Sequence, residues 1–320
     1  MSLLAKLFNH SPAPPGAAPG LSPAITPASI SANHAAEVEH WNAIARRLNA
    51  GERLFWLSHP RVAELRMRKE KIDGLAWRDW VVRQWGAPAR VALELGCGQG
   101  LTIEALVKNG IADSGEGVDL DDSRFKAASS PALHLRAADV NRIELQPERY
   151  DLIYSLGSFH HFEALEHIME QVHSALTPEG FFVLDEYVGP PRFQWTDLQL
   201  SITAELLALV PKPLRWYANG IEKQAEGRST PEQVIEVCPS EAIRSDEIVP
   251  LFHQHFDVVE HRSLGGTIQH LLYSGIIQNF PDHVPEIDRM IDSIDAIETR
   301  MIDAGILPSD FVLLVGKKRK

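Results

Sequence analysis

From residue 90 onward, short apolar runs alternate with segments whose apolar residues recur at helical spacing. Val91, Leu93 and Leu95 form the first run, and Ile103, Leu106 and Val107 then share one helical face. Further runs follow at Gly115–Asp119, Leu133–Ala137, Tyr150–Ser155 and Phe181–Asp185. Leu165, Ile168, Met169, Val172 and Leu176 mark a helix between the last two. Strand and helix in regular alternation predict a parallel sheet covered by helices on both faces. Ligands in such sheets bind outside the carboxyl ends of the strands.

The flanks read differently. Residues 1–34 are rich in Pro, Ala, Ser and Gly and too poor in large apolar residues to offset their ordering entropy, which predicts a disordered tail. Residues 35–89 predict an N-terminal helical segment, with Val38, Trp41, Ile44, Ala45 and Leu48 at helical spacing. Trp41, Trp56, Trp77 and Trp80 are expected to be core residues. After the 90–185 core, a gap longer than α/β connections usually show separates Asp185 from the next strand-like run, Phe256–His261. Thr196-x-x-Gln199 and Thr230-Pro-Glu-Gln233 are capping boxes within it. The first opens a helix expected to bury Leu198, Ile202, Leu206 and Leu209. Residues 186–245 are therefore expected to form an inserted helical cap over the acceptor side. Residues 246–320 would complete the sheet, with Phe311–Val315 as the last strand.

The most informative stretch joins the first run to the first helix. Glycines 96, 98 and 100 alternate in Glu94-Leu-Gly-Cys-Gly-Gln-Gly100. Such a turn lets backbone approach a ligand, and free amides at the helix start favour electron-rich groups. A dinucleotide fingerprint would need a third glycine where Leu101 stands. About twenty residues further on, Asp119 ends the second strand, placed to accept from two ribose hydroxyls. Asp139, followed by Val140, ends the third.

The pattern E-x-G-x-G-x-G, with Asp119 and Asp139 in order behind it, resembles class I S-adenosylmethionine-dependent methyltransferases over residues 90–190. The resemblance implies a Rossmann-like, doubly wound seven-stranded sheet whose seventh strand is antiparallel. It implies S-adenosyl-L-methionine as cofactor, held by Glu94, Gly96, Cys97, Gly98, Gly100, Asp119, Leu120, Asp139, Val140, Leu156 and Gly157. In that family an acid at the position of Asp139 accepts from the adenine amino group while its apolar neighbour flanks the ring. The run Asp185–Trp195, with Pro239–Arg244, is similar to a narrower bacterial group of small-molecule or glycan methyltransferases and fixes no substrate.

Methyl transfer from a sulfonium mainly requires positioning, plus a base when the acceptor must lose a proton. His160, His161 and Glu186 are the catalytic candidates, with His270 in reserve. Histidine, with an unperturbed pKa of about 6.5, suits the task at neutral pH. Arg192, Trp195 and Arg244 frame the insertion as candidate substrate-binding residues. The arginines offer planar forks for an anionic handle, or else pair with nearby acids such as Glu186 or Glu241. No spaced ligand cluster accompanies His160-His161, and Ser155-Leu156-Gly157 stands where catechol-type relatives carry an acid, so no metal is expected.

A net charge of -12 argues against a nucleic-acid partner. Cys97 and Cys238 are too few for a disulfide framework, and no run suits a membrane span, so a cytoplasmic protein is expected. Its partner would be a small-molecule or glycan acceptor, and a homodimer is compatible. Two other readings compete: a nucleotide-dependent oxidoreductase on the same sheet, and a non-catalytic cofactor-binding scaffold.

Overall fold

The computed structural model describes residues 27–125 and 130–319. Most of the expected tail, residues 1–26, lies outside them. The described residues divide into two compact units: those up to Arg66, with Gly189–Ala242 and Gly265–Asp310, form one, and Met67–Val188, Ile243–Leu264 and those from Phe311 onward the other.

The second unit carries the sheet. Its strands are β1 (Ala89–Leu95), β2 (Ala112–Asp119), β3 (Leu133–Ala137), β4 (Tyr150–Leu156), β5 (Leu176–Tyr187), β6 (Phe256–Gly265) and β7 (Phe311–Lys318), in spatial order β3-β2-β1-β4-β5-β7-β6. β1 to β5 pair in parallel, and β7 runs antiparallel to β5 with Val183 opposite Val315. Because side chains alternate along a strand, neighbouring residues feed separate apolar layers. Leu93, Ile153, Phe182 and Leu184 pack on one face with Leu165, Ile168, Met169 and Val172 of the helix Leu165–Ala175. Ala92, Leu152, Phe181 and Val183 pack on the other with Trp77, Trp80, Ile103 and Leu106. Fully burying a side chain of this size is worth roughly 1.5–3 kcal/mol, so helices on both faces hold the strand ends in register. β5 begins five residues earlier than its apolar run, with Leu176 paired to Tyr150 across an irregularity.

The other unit is helical. One helix spans Pro27–Asn49, so residues 27–34, expected in the tail, are helical. Both capping boxes form: Thr196 opens the helix Asp197–Leu209, and Thr230 opens Pro231–Val237 with proline at its first position. The first helix does not bury its expected face. Leu198 is 48% and Leu209 77% exposed, while Gln199 and Thr203 are buried beside Leu206 and Leu207. The Gln199 amide donates to buried Asp310 at 3.0 Å, which draws this polar face inward. The expected division at 186–245 and 246–320 shifts accordingly. Residues 189–242 join 265–310, including the helix Pro285–Asp303, in this unit instead of forming a cap alone. Among the described residues no helix is long and apolar enough to cross a membrane.

Candidate active site

The glycine turn is stitched to β2. Gly96 and Cys97 both donate to Val118 O, at 2.8 and 3.0 Å, and Gly98 donates to Asp119 Oδ2 at 2.7 Å. Glycines 96, 98 and 100 all have left-handed φ, a region that penalises a Cβ. At Gly96 a Cβ would lie 2.4 Å from Ser158 Cβ, whereas at Gly98 it would meet nothing within 4 Å. The turn is thus closed behind and open in front. That is the cradle a nucleoside needs, followed by the amides of the helix Leu101–Lys108 that lack intrahelical acceptors.

Glu94 supports this turn from below. It is 4% exposed, and its Oε2 accepts from Ile103 N at 3.1 Å and from the Tyr154 hydroxyl at 3.2 Å. Burial pushes its pKa up to about 8, against the pull of those two hydrogen bonds. Cys97 is buried too, with its sulfur in the space that a Cβ at Gly117 would need. Burial raises its thiol pKa, so Cys97 stays protonated and serves as a small packing residue.

Two further acids stand at strand ends. Asp119, closing β2, accepts from Gly98 N and from Leu120 N at 2.9 Å, and pairs with Arg124. Burial raises its pKa, with Arg124 the main opposing influence. Asp139, after β3, caps the turn Val140–Arg142 by accepting from Asn141 N at 2.9 Å. Asn141 Oδ1 in turn accepts from Glu163 N and Ala164 N at 2.7 and 3.0 Å. Asp139 is thereby tied to the start of the next helix. Val140 is buried in the core layer.

The loop after β4 completes the cluster. Gly157 is left-handed, donates to Asp185 O at 2.8 Å, and has open space at its Cβ position. Ser158 Oγ donates to Gly96 O at 3.0 Å and locks this loop to the glycine turn. His160 Nδ1 contacts Glu186 Oε1. Glu186 is fully buried, and the amides of Phe159 and Tyr187 each donate to it at 2.6 Å. Three groups thus converge on the Glu186 carboxylate: the Phe159 and Tyr187 amides and the His160 ring. A carboxylate on Nδ1–H leaves Nε2 as the basic nitrogen. His161 lies against His160, ring centroids 4.2 Å apart, and does not share the Glu186 contact.

The candidate substrate residues fall in different units, Arg244 with the sheet and Arg192 and Trp195 in the helical unit. Arg244 binds Glu166 through Nη1 and Nη2 and Glu247 through Nε and Nη2, and Nη1 adds Glu163 O at 2.8 Å. Hydrogen bonds to Glu247 and Glu166 raise its pKa. It matches the alternative of a structural arginine, although its acids are not those expected. In the helical unit, Arg192 donates to the carbonyls of Pro239 and Glu241 at 2.7 and 3.0 Å, joining two loops. Trp195 is buried, stacked on Phe193 at 5.3 Å with His270 edge-on at 5.9 Å. Sequence reasoning missed Arg124, Ser158 and Tyr154. Only Ser158 had a signal, its place just after Gly157.

Residues 93–184 match the family described as "Methyltransferase domain". Among solved structures, the chain is similar to an S-adenosylmethionine-dependent methyltransferase from Mesorhizobium loti, at 15% identity over 77% of this chain and 99% of that one, TM-score 0.39. It is also similar to a TehB-like SAM-dependent methyltransferase from Corynebacterium glutamicum, at 14% identity over 90% and 100% of the two chains, TM-score 0.40. A geranyl diphosphate C-methyltransferase from Streptomyces coelicolor A3(2) is similar at 10% identity over 76% and 80%, TM-score 0.43. Likenesses at these scores bring no substrate to this chain. No curated protein matches it.

Proposed function

We propose that this chain, whose residues 93–184 match the family described as "Methyltransferase domain", is an S-adenosylmethionine-dependent enzyme that methylates an oxygen of a small-molecule or sugar acceptor. S-adenosylmethionine supplies the electrophilic methyl when bound. The open face at Gly98, the amides that start the helix Leu101–Lys108, and Asp119 would hold its nucleoside part. Asp139 and Val140 would sit at the adenine, and Leu156 and Gly157 along the loop after β4. Glu94 and Cys97 act through the turn, by buttressing and packing it.

The observation that carries the oxygen-acceptor reading is the pairing of the partly exposed His160 with the fully buried Glu186. A carboxylate pinned by the Phe159 and Tyr187 amides fixes the imidazole tautomer. An oriented neutral histidine takes a proton from a hydroxyl at Nε2, and Glu186 stabilises the imidazolium that results. A nitrogen or thiolate acceptor has less need of that pair. His161 shapes the loop in this reading. Arg192, Trp195 and Arg244 support their own units.

Radiolabelled methyl transfer from S-adenosylmethionine into a panel of hydroxylated small molecules and glycans tests this. Once an acceptor is found, His160→Ala should lower the saturated rate by about 10²–10⁴-fold. His161→Ala should change the rate far less. A fully active His160→Ala variant would leave positioning alone as the mechanism.

A further inference from the structure

The carboxylate of Asp119 already carries three donors. Gly98 N donates to Oδ2 at 2.7 Å, Leu120 N donates to Oδ1 at 2.9 Å, and Arg124 Nη2 also donates to Oδ1. An ionised carboxylate has about four lone-pair sites, so three donors leave one, too few for the two hydroxyls of a ribose. Two of these donors are backbone amides held by the glycine turn and by the chain leaving β2. Only the third belongs to a side chain that can rotate away.

Arg124 is also weakly held for a buried arginine. Its side chain is 13% exposed and that of Asp119 10%. It meets the carboxylate through one nitrogen, and its Nε is buried with no hydrogen-bond partner among the described residues. An arginine that used both arms of its fork would be far harder to displace, as Arg244 illustrates in the same unit with Glu166 and Glu247.

We propose that Arg124 is a displaceable occupant of the ribose-hydroxyl position on Asp119. The inference rests on the cofactor reading of this site and adds to it. The incoming ribose exchanges with the guanidinium, and Arg124 thereby sets cofactor affinity. When the ribose leaves, Arg124 returns to the buried carboxylate. Cofactor affinity is then weaker than the cradle alone would give, which favours product release.

Calorimetric titration of the full chain with S-adenosylhomocysteine and with its 2′,3′-dideoxy analogue tests the exchange. Runs at pH 7.0 and 8.5 show whether the comparison depends on the protonation of Asp119, whose pKa burial raises. Arg124→Met keeps the apolar stem and removes the donor. It should bind S-adenosylhomocysteine about tenfold more tightly than wild type, the scale of one charge-assisted hydrogen bond. The gain should vanish with the dideoxy analogue, which has no hydroxyls to place on Asp119. Arg124→Gln is read in the same way if circular dichroism shows the methionine variant misfolded. A wild type that binds, with variants binding equally or more weakly, overturns the exchange and leaves the cofactor site standing. If neither wild type nor variants bind, the cofactor site itself is refuted and the exchange with it.

Discussion

Replacing Glu94 with glutamine tests whether the glycine turn rests on a neutral acid. Glu94 is buried with Ile103 N and the Tyr154 hydroxyl on one carboxylate oxygen, and burial lifts its pKa from 4.5 to about 8. An acid whose pKa is higher folded than unfolded binds more protons in the native state, so stability falls as pH rises. The loss starts near the unfolded value of 4.5 and levels off above about 8. At about 1.4 kcal/mol per pH unit, the whole window is worth a ceiling of roughly 5 kcal/mol, of which about 3 has gone by pH 7.

Glutamine presents the same oxygen to Ile103 and Tyr154 and does not titrate. Urea unfolding of both proteins between pH 5 and 8.5 gives the readout. The variant should match or trail wild type at pH 5 and lead it by about 1–3 kcal/mol at pH 8, a discount on the ceiling for relaxation around the charge. Asp310, also buried and raised to about 7, titrates in the same direction in both proteins, so the difference between them isolates Glu94. A difference that stays constant across the range would show that Glu94 titrates normally. One that grows in favour of wild type would show an ionised Glu94 that stabilises the fold. Either result refutes a neutral buttress.

Two further outcomes follow from the same geometry. Asp119→Ala should weaken S-adenosylmethionine binding about ten- to a hundredfold, the scale of a lost hydrogen bond to a charged group, and an unchanged calorimetric dissociation constant would remove Asp119 from the site. Arg244→Lys keeps the charge but cannot bridge Glu166 and Glu247 with one planar fork, so it should cost about 1–2 kcal/mol of unfolding free energy and leave the acceptor's KM unchanged; a raised KM with unchanged stability would restore the anion-handle reading.

The sheet and the strand-end acids were legible because both follow from short-range rules. A period of two marks buried strands, and glycines at alternate positions mark a turn that other residues cannot make. Asp119 and Asp139 then fall at carboxyl ends by counting alone. Contacts that depend on which way a loop folds back were not legible. Asp185 and Glu186 are adjacent acids, so one faces each side of β5. Glu186 shares its face with Phe182 and Leu184, and the loop bearing Phe159 and His160 crosses that same side. Nothing local says which side the loop takes, so the contact of Glu186 with His160 Nδ1 could not be read from the sequence.

The helix Asp197–Leu209 shows the converse error and its physical cause. Reading leucines as inward assumes that polar residues have nothing to meet inside. Gln199 does: Asp310, 111 positions away, is buried and accepts from its amide, while the side-chain oxygen of Gln199 accepts from Thr196 N at 2.8 Å. Leaving a buried carboxylate unpartnered costs more than exposing a leucine, since one buried leucine contributes about 1.5–3 kcal/mol and an unpaired buried charge several times that. The helix therefore turns its glutamine inward and leaves Leu198 and Leu209 outside. A buried acid far along the chain can invert an amphipathic pattern, and no window the length of the helix contains the residue responsible.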